Sequence, residues 1–124
     1  MTLAFTVRSH LQAIRLESLR AVFVRRAKSD AAMLASCRSS LGQAAGAAAA
    51  SRIREIAHGL AGAAGLFGFN QISSDAAALE EAVVAKLGGE GSAQDLTLAL
   101  DGLMSRLDGE WDAPRAKRTQ SAQG

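Results

Sequence analysis

The sequence predicts an all-α protein, an antiparallel four-helix bundle with an additional short or kinked N-terminal helix, and three observations carry that expectation. Apolar residues make up 48% of the 124 and are mostly Ala and Leu, while aromatics are 4% and β-branched runs are absent; such a composition favours helix over strand. Proline occurs once, at Pro114, so nothing of that kind interrupts a helix before it. Apolar positions recur at intervals of three and four in stretches separated by glycine-containing breaks. At this length one domain with one core is expected, without disulfide or metal support.

Leu11, Ile14, Leu19, Val22 and Phe23 fall near helical spacing and mark a first helix ending around Lys28. Ser29 or Asp30 can cap a second with the stripe Met33, Leu34, Cys37 and Leu41, unless the two segments form one kinked element. Gly42 to Gly46 reads as a connection. The third helix starts within Ala47 to Ser51 and runs to about Phe67, and Ile53, Ile56, Ala57, Leu60, Ala64 and Phe67 share about a third of its wheel. Gly68 marks its end. Asn70 can cap the fourth helix, which carries Ile72, Ala76, Leu79 and Val83 on one stripe and stops at Gly88 and Gly89. Ser92 with Asp95 three residues on resembles a capping box for the last helix, whose stripe is Leu96, Leu100, Leu103 and Leu107. Short connections make neighbouring helices antiparallel. There is no internal repeat.

The net charge of +2 is unevenly placed: after Pro114 come Arg115, Lys117 and Arg118, which leaves eleven basic residues against twelve acidic ones before it. The first forty residues are basic and Asp75 to Asp112 is acidic, so the bundle is expected to be polarised and its tail solvated and disordered. Basic residues interleaved with aromatics, or a nucleic-acid recognition motif, are not visible. Leu3 to Val7 is too short for a signal-peptide core. The uncharged run from Ile56 to Ser74 contains His58, Asn70, Gln71 and several glycines, which argues against a membrane span. Cys37, the lone cysteine, reads as a small buried hydrophobe in a reducing compartment. The two histidines, His10 and His58, lie in different elements without ligands at metal-binding spacing, so no metal site is expected.

The informative element is the third helix. His58 lies far round from the apolar face, and the residues on its side are Arg54 four before, Ala61 and Gly62 three and four after, and Gly65 seven after. An imidazole thus stands among small side chains or none. Each interior glycine costs a helix about 0.5–1 kcal/mol relative to alanine, so Gly59, Gly62 and Gly65 together require a reason. Close approach of another molecule to the backbone around His58 is one; close packing of a neighbouring helix is another. No Ser or Cys nucleophile is indicated beside His58, although Glu55 precedes it by three.

The stretch from Ala57 to Glu81 resembles the signature of histidine phosphotransfer (HPt) domains, at His58, Leu60, Gly62, Gly65, Gly68, Leu79 and Glu80. The resemblance covers about a fifth of the chain and implies a four-helix bundle at 1–113, followed by the tail at 114–124. It implies that His58 is a phosphorylatable nucleophile relaying a phosphoryl group between receiver-domain aspartates in a two-component phosphorelay. The implied partners are response-regulator receiver domains or a hybrid histidine kinase, and no cofactor belongs to this chain, since Mg²⁺ and charge stabilisation come from the receiver. Whether such a phosphocarrier is itself an enzyme is left open, because the partner completes the chemistry. Docking is expected on Ala61, Gly62 and Gly65, rimmed by Ser51, Arg54, Glu55 and Leu66. Many family members have Lys where this chain has Ala61, and Arg54 is the candidate substitute cation. A cytoplasmic monomer without nucleic-acid or membrane partners is expected. The competing reading is a non-catalytic adaptor that uses the Gly/Ala face of the third helix, with His58 incidental.

Overall fold

The structure, a computed structural model, describes residues 2–110, with side chains from Ser9 onward. Its four helices are α1 (Thr2–Ser40), α2 (Gly46–Leu66), α3 (Asn70–Leu87) and α4 (Ala93–Glu110), and there is no strand among the described residues. They run up and down around a square: α1 packs on α2 and α4, and α3 closes the ring between α2 and α4. The basic tail expected at 114–124 lies outside the described residues.

The core is built from the stripes that the periodicity marks. On α2, Ile53, Ile56, Ala57, Leu60 and Ala64 are buried, on α3 Ile72, Ala76, Leu79 and Val83, and on α4 Leu96, Leu100, Leu103 and Leu107. Among the described side chains of α1, only Phe23, Ala27 and Leu34 are buried. Among the described residues no polar or charged one is buried. Phe67, expected on the core face, is half-buried instead, its ring tilted against that of Phe23 with centroids 5.8 Å apart. Cys37 is free and half-buried against the core.

Three features depart from the sequence expectation. The segments before and after Lys28 are one uninterrupted helix, because Ser29 and Asp30 continue the turn without capping a new one. The additional N-terminal piece is therefore an extension of α1. Leu11, Ile14, Leu19 and Val22 are exposed, since α1 spans about 58 Å against roughly 27–32 Å for the others and runs past the end of the bundle. Asn70 does not cap α3: that position belongs to Phe69, with no side-chain cap, and the α2–α3 turn is closed by backbone bonds from Phe67 to Ala63, Gly68 to Gly65 and Phe69 to Ala64. Gly68 sits there at φ +83°, a left-handed conformation that ends α2. Ser92 does cap α4, its Oγ accepting the Asp95 N–H at 3.0 Å.

Two arginine–carboxylate pairs fasten α4 to its neighbours, Arg38 to Asp101 from α1 and Arg106 to Asp75 from α3. The Arg38 guanidinium holds the Asp101 carboxyl below the usual carboxylate range, chiefly through the hydrogen bond. That contribution is present above the ordinary Asp pKa and is lost as pH falls through the lowered one. Both partners are exposed, so packing carries the stability. Leu100→Ala should lower unfolding free energy by about 2–5 kcal/mol, whereas Leu98→Ala, two residues away on the solvent side, should change it by no more than about 0.5 kcal/mol; urea denaturation of both variants checks this.

Candidate functional site

His58 is held by α2 on the outer surface of the bundle, with 77% of its side chain accessible to solvent. Its Nδ1 lies 2.8 Å from Oε2 of Glu80 on α3. An ionised carboxylate can only accept, so Nδ1 carries the hydrogen and donates it. In the neutral ring the lone pair then belongs to Nε2, which points away from Glu80. The arrangement fixes the tautomer and leaves one unprotonated ring nitrogen facing solvent, which is what a nucleophile requires.

The register that brings Glu80 to His58 is set one hairpin turn away. Ser73 donates its hydroxyl to the Ala61 carbonyl at 2.6 Å, tying the start of α3 to α2. A Cβ at Gly65 would meet Ser73 Oγ at 3.2 Å. Gly65 and Ser73 face each other across the antiparallel pair. Seven residues back along α2 and seven forward along α3 are His58 and Glu80. The same register serves both contacts.

The three glycines of α2 therefore have different reasons. Gly65 has a reason within the fold, since what it faces is Ser73, and it remains exposed. A Cβ at Gly59 or Gly62 would meet nothing within 4 Å. These two keep the surface flat beside His58 with no internal cause. Ala61 is half-buried, and its carbonyl is occupied by Ser73. Ser51, Arg54 and Glu55 are exposed, and Leu66 is 76% exposed. Glu55 is paired with Arg52 at 3.2 Å, whereas Arg54 makes no ion pair among the described residues. On α3, Ala77 and Val84 are exposed within one turn of Glu80, adding apolar surface that the α2 pattern alone does not reveal. Glu80 itself is a signature position in the sequence, but its contact depends on inter-helix register.

A cleft between α2 and α1 is lined by Arg26, Asp30, Arg52, Glu55, Ile56 and Gly59, so that Glu55 and Gly59 border both it and the His58 face. Burial pushes the Asp30 carboxyl up, opposed by the nearby Arg26 and Arg52 charges. The cleft balances two cations against two carboxyl groups. No group of three or more His, Cys, Asp or Glu that could hold a metal occurs among the described residues, and no described helix is long and apolar enough to cross a membrane.

The family model described as the Hpt domain matches residues 15–110, from within α1 to the end of α4. Neither the curated proteins nor the solved structures gave a match.

The contrast between the glycines is measurable. Gly62→Ala should stabilise the fold by about 0.5–1 kcal/mol, the helical preference of Ala with no steric cost. Gly65→Ala should gain less, because the Ser73 hydroxyl bonded to Ala61 must shift by a few tenths of an ångström; a Ser73→Ala background should restore the gain, as read by a double-mutant cycle in chemical denaturation.

Proposed function

The chain belongs to the Hpt domain family, histidine phosphotransfer modules of phosphorelays, and from that premise we propose that His58 relays a phosphoryl group between receiver-domain aspartates. The observation that carries this reading is the His58–Glu80 hydrogen bond, which holds Nδ1–H and turns the Nε2 lone pair outward on an open face. Nε2 attacks the phosphorus of an aspartyl phosphate; the N–P bond forms, the P–O bond to the aspartate breaks, and the aspartate leaves as a carboxylate. Positive charge developing on the ring lies against the Glu80 carboxylate, so the proton on Nδ1 need not move. Transfer onward is the reverse step toward a second aspartate.

The reading assigns the rest of the chemistry to the partner. A loose phosphoryl-transfer transition state needs positioning and charge stabilisation, which a receiver would supply with its own Mg²⁺ and cation. This chain contributes the acceptor atom and a surface at Gly59 and Gly62 that a concave site can approach. Leu66, Ala77 and Val84 give that surface apolar contact, with Ser51 and Glu55 at its rim. Arg54, exposed one turn before His58 and unpaired, is the cation placed to meet phosphoryl oxygens where Ala61 offers none. The proposed setting is the cytoplasm, with receivers or a hybrid kinase as partners.

The test is transfer of radiolabelled phosphoryl from a panel of phosphorylated receivers. Wild type should acquire acid-labile, alkali-stable label and His58→Gln none. Glu80→Ala should retain the label site yet transfer about tenfold more slowly, the loss of one charge-assisted hydrogen bond. Unlabelled wild type across the whole panel would transfer support to the adaptor reading.

A further inference from the structure

A cavity of about 580 Å³ opens at the end of the bundle opposite the α2–α3 turn, where α1 and α3 end and α2 and α4 begin. Its volume is that of a small-molecule site, for which roughly 300–1,000 Å³ is usual. Buried Ala50 and Leu96 form the floor, and half-buried Leu41 and exposed Leu87 give it apolar walls. It stays open because the chain from Gly42 to Ala47 brings to it only one long side chain, that of Gln43. Ala47 precedes His58 by eleven residues, about 17 Å along α2, so the cavity is separate from the His58 face.

The charges around the cavity do not balance. Its lining includes two cations, Arg38 and Lys86, and no carboxylate; Glu90 and Asp95, in the chain just beyond, do not line it. Arg38 is already neutralised, since its guanidinium donates to both oxygens of Asp101, at 2.6 and 3.0 Å. Lys86 makes no ion pair among the described residues. Nor does the end of α3 need its ammonium, because the carbonyls of Val84, Ala85 and Lys86 accept from the N–H groups of the Gly88–Gly91 turn. Two further donors on the lining are unused among the described residues. One is the side-chain amide of Gln43, and the other is the backbone N–H of Ala47, since α2 begins without a side-chain cap. The Thr97 hydroxyl, by contrast, is spent on the Ala93 carbonyl.

We propose that this cavity binds a small molecule with an apolar body and a single carboxylate, the carboxylate at Lys86 and the body against Leu41, Leu87 and Leu96. One uncompensated positive charge matches one negative charge. A phosphate monoester would bring about 1.5 to 2 negative charges at neutral pH, with no second free cation to meet them. An ammonium acts as a point charge, so direction comes from the donors of Gln43 and Ala47. Removal of the apolar body and of Leu87 from water supplies the remaining affinity. The site stands independently of the role of His58.

The experiment is a titration of the isotope-labelled full chain with decanoate up to ~1 mM, the weak end of specific affinities, read from backbone amide resonances by NMR. The amides of Ala47, Leu87, Leu96 and Thr97 should shift saturably, while those of His58 and of the exposed segment from Leu11 to Leu19 should not. Decanol, which has the chain without the charge, and decyl phosphate should each bind at least about threefold more weakly, the worth of one exposed charge pair. Lys86→Glu should weaken decanoate binding at least about tenfold by turning attraction into repulsion. Ala47→Phe, which sets a ring at the cavity from the first turn of α2, should abolish the shifts. Both positions are exposed, so thermal melting by circular dichroism should be unchanged in either variant. No saturation by ~1 mM decanoate, shifts confined to the exposed part of α1, decanol binding as tightly as decanoate, or indifference to Lys86→Glu would each overturn the proposal. Tighter binding of decyl phosphate would overturn the carboxylate assignment and give the cavity to phosphate esters.

Discussion

Everything at the site depends on the register between α2 and α3, and that register is held where a serine fits against a glycine. Ser73 bonds the Ala61 carbonyl beside Gly65, where a Cβ would press its hydroxyl at 3.2 Å. Two helical turns further down the pair the same alignment delivers Glu80 to His58. A one-residue slip would turn Glu80 by about 100° and leave the imidazole free to choose its tautomer. The chemical competence of one exposed ring is thus written into a packing contact about 10 Å away along the helix axis.

That dependence explains what the sequence could and could not disclose. The stripes of α2, α3 and α4 were legible because a 3.6-residue period marks which side of a helix is apolar, and those helices use that side for the core. His58 stood out because its neighbours were bare. The role of Glu80 was not legible, although the residue was, because a contact between positions 22 apart requires knowing how far two helices slide past each other. Gly65 was ambiguous for the same reason, since a missing side chain looks alike whether it admits a neighbour or a partner.

α1 illustrates a different limit. Its leucines have the spacing of core residues, yet periodicity does not say whether a matching helix stands opposite. Here the other helices are half as long, and nothing among the described residues covers the upper part of α1. The missing break at Ser29 and Asp30 follows from the same bias: both residue types favour caps, but neither forces one when packing continues on either side through Ala27 and Leu34.

The bareness of α2 at Gly59 and Gly62 carries a further consequence. On the proposed reading, a partner approaching there would meet peptide backbone, which is the same in every helix, and so would find little by which to tell one such helix from another. Under the proposed function, fidelity would then reside at the perimeter, in Ser51, Glu55, Leu66 and Val84, while the centre stays generic. Such a surface suits an intermediary that has to be read by both a giver and a taker: its middle is free to serve either, and selection against crosstalk acts on a handful of edge positions that can change without disturbing the core or the histidine.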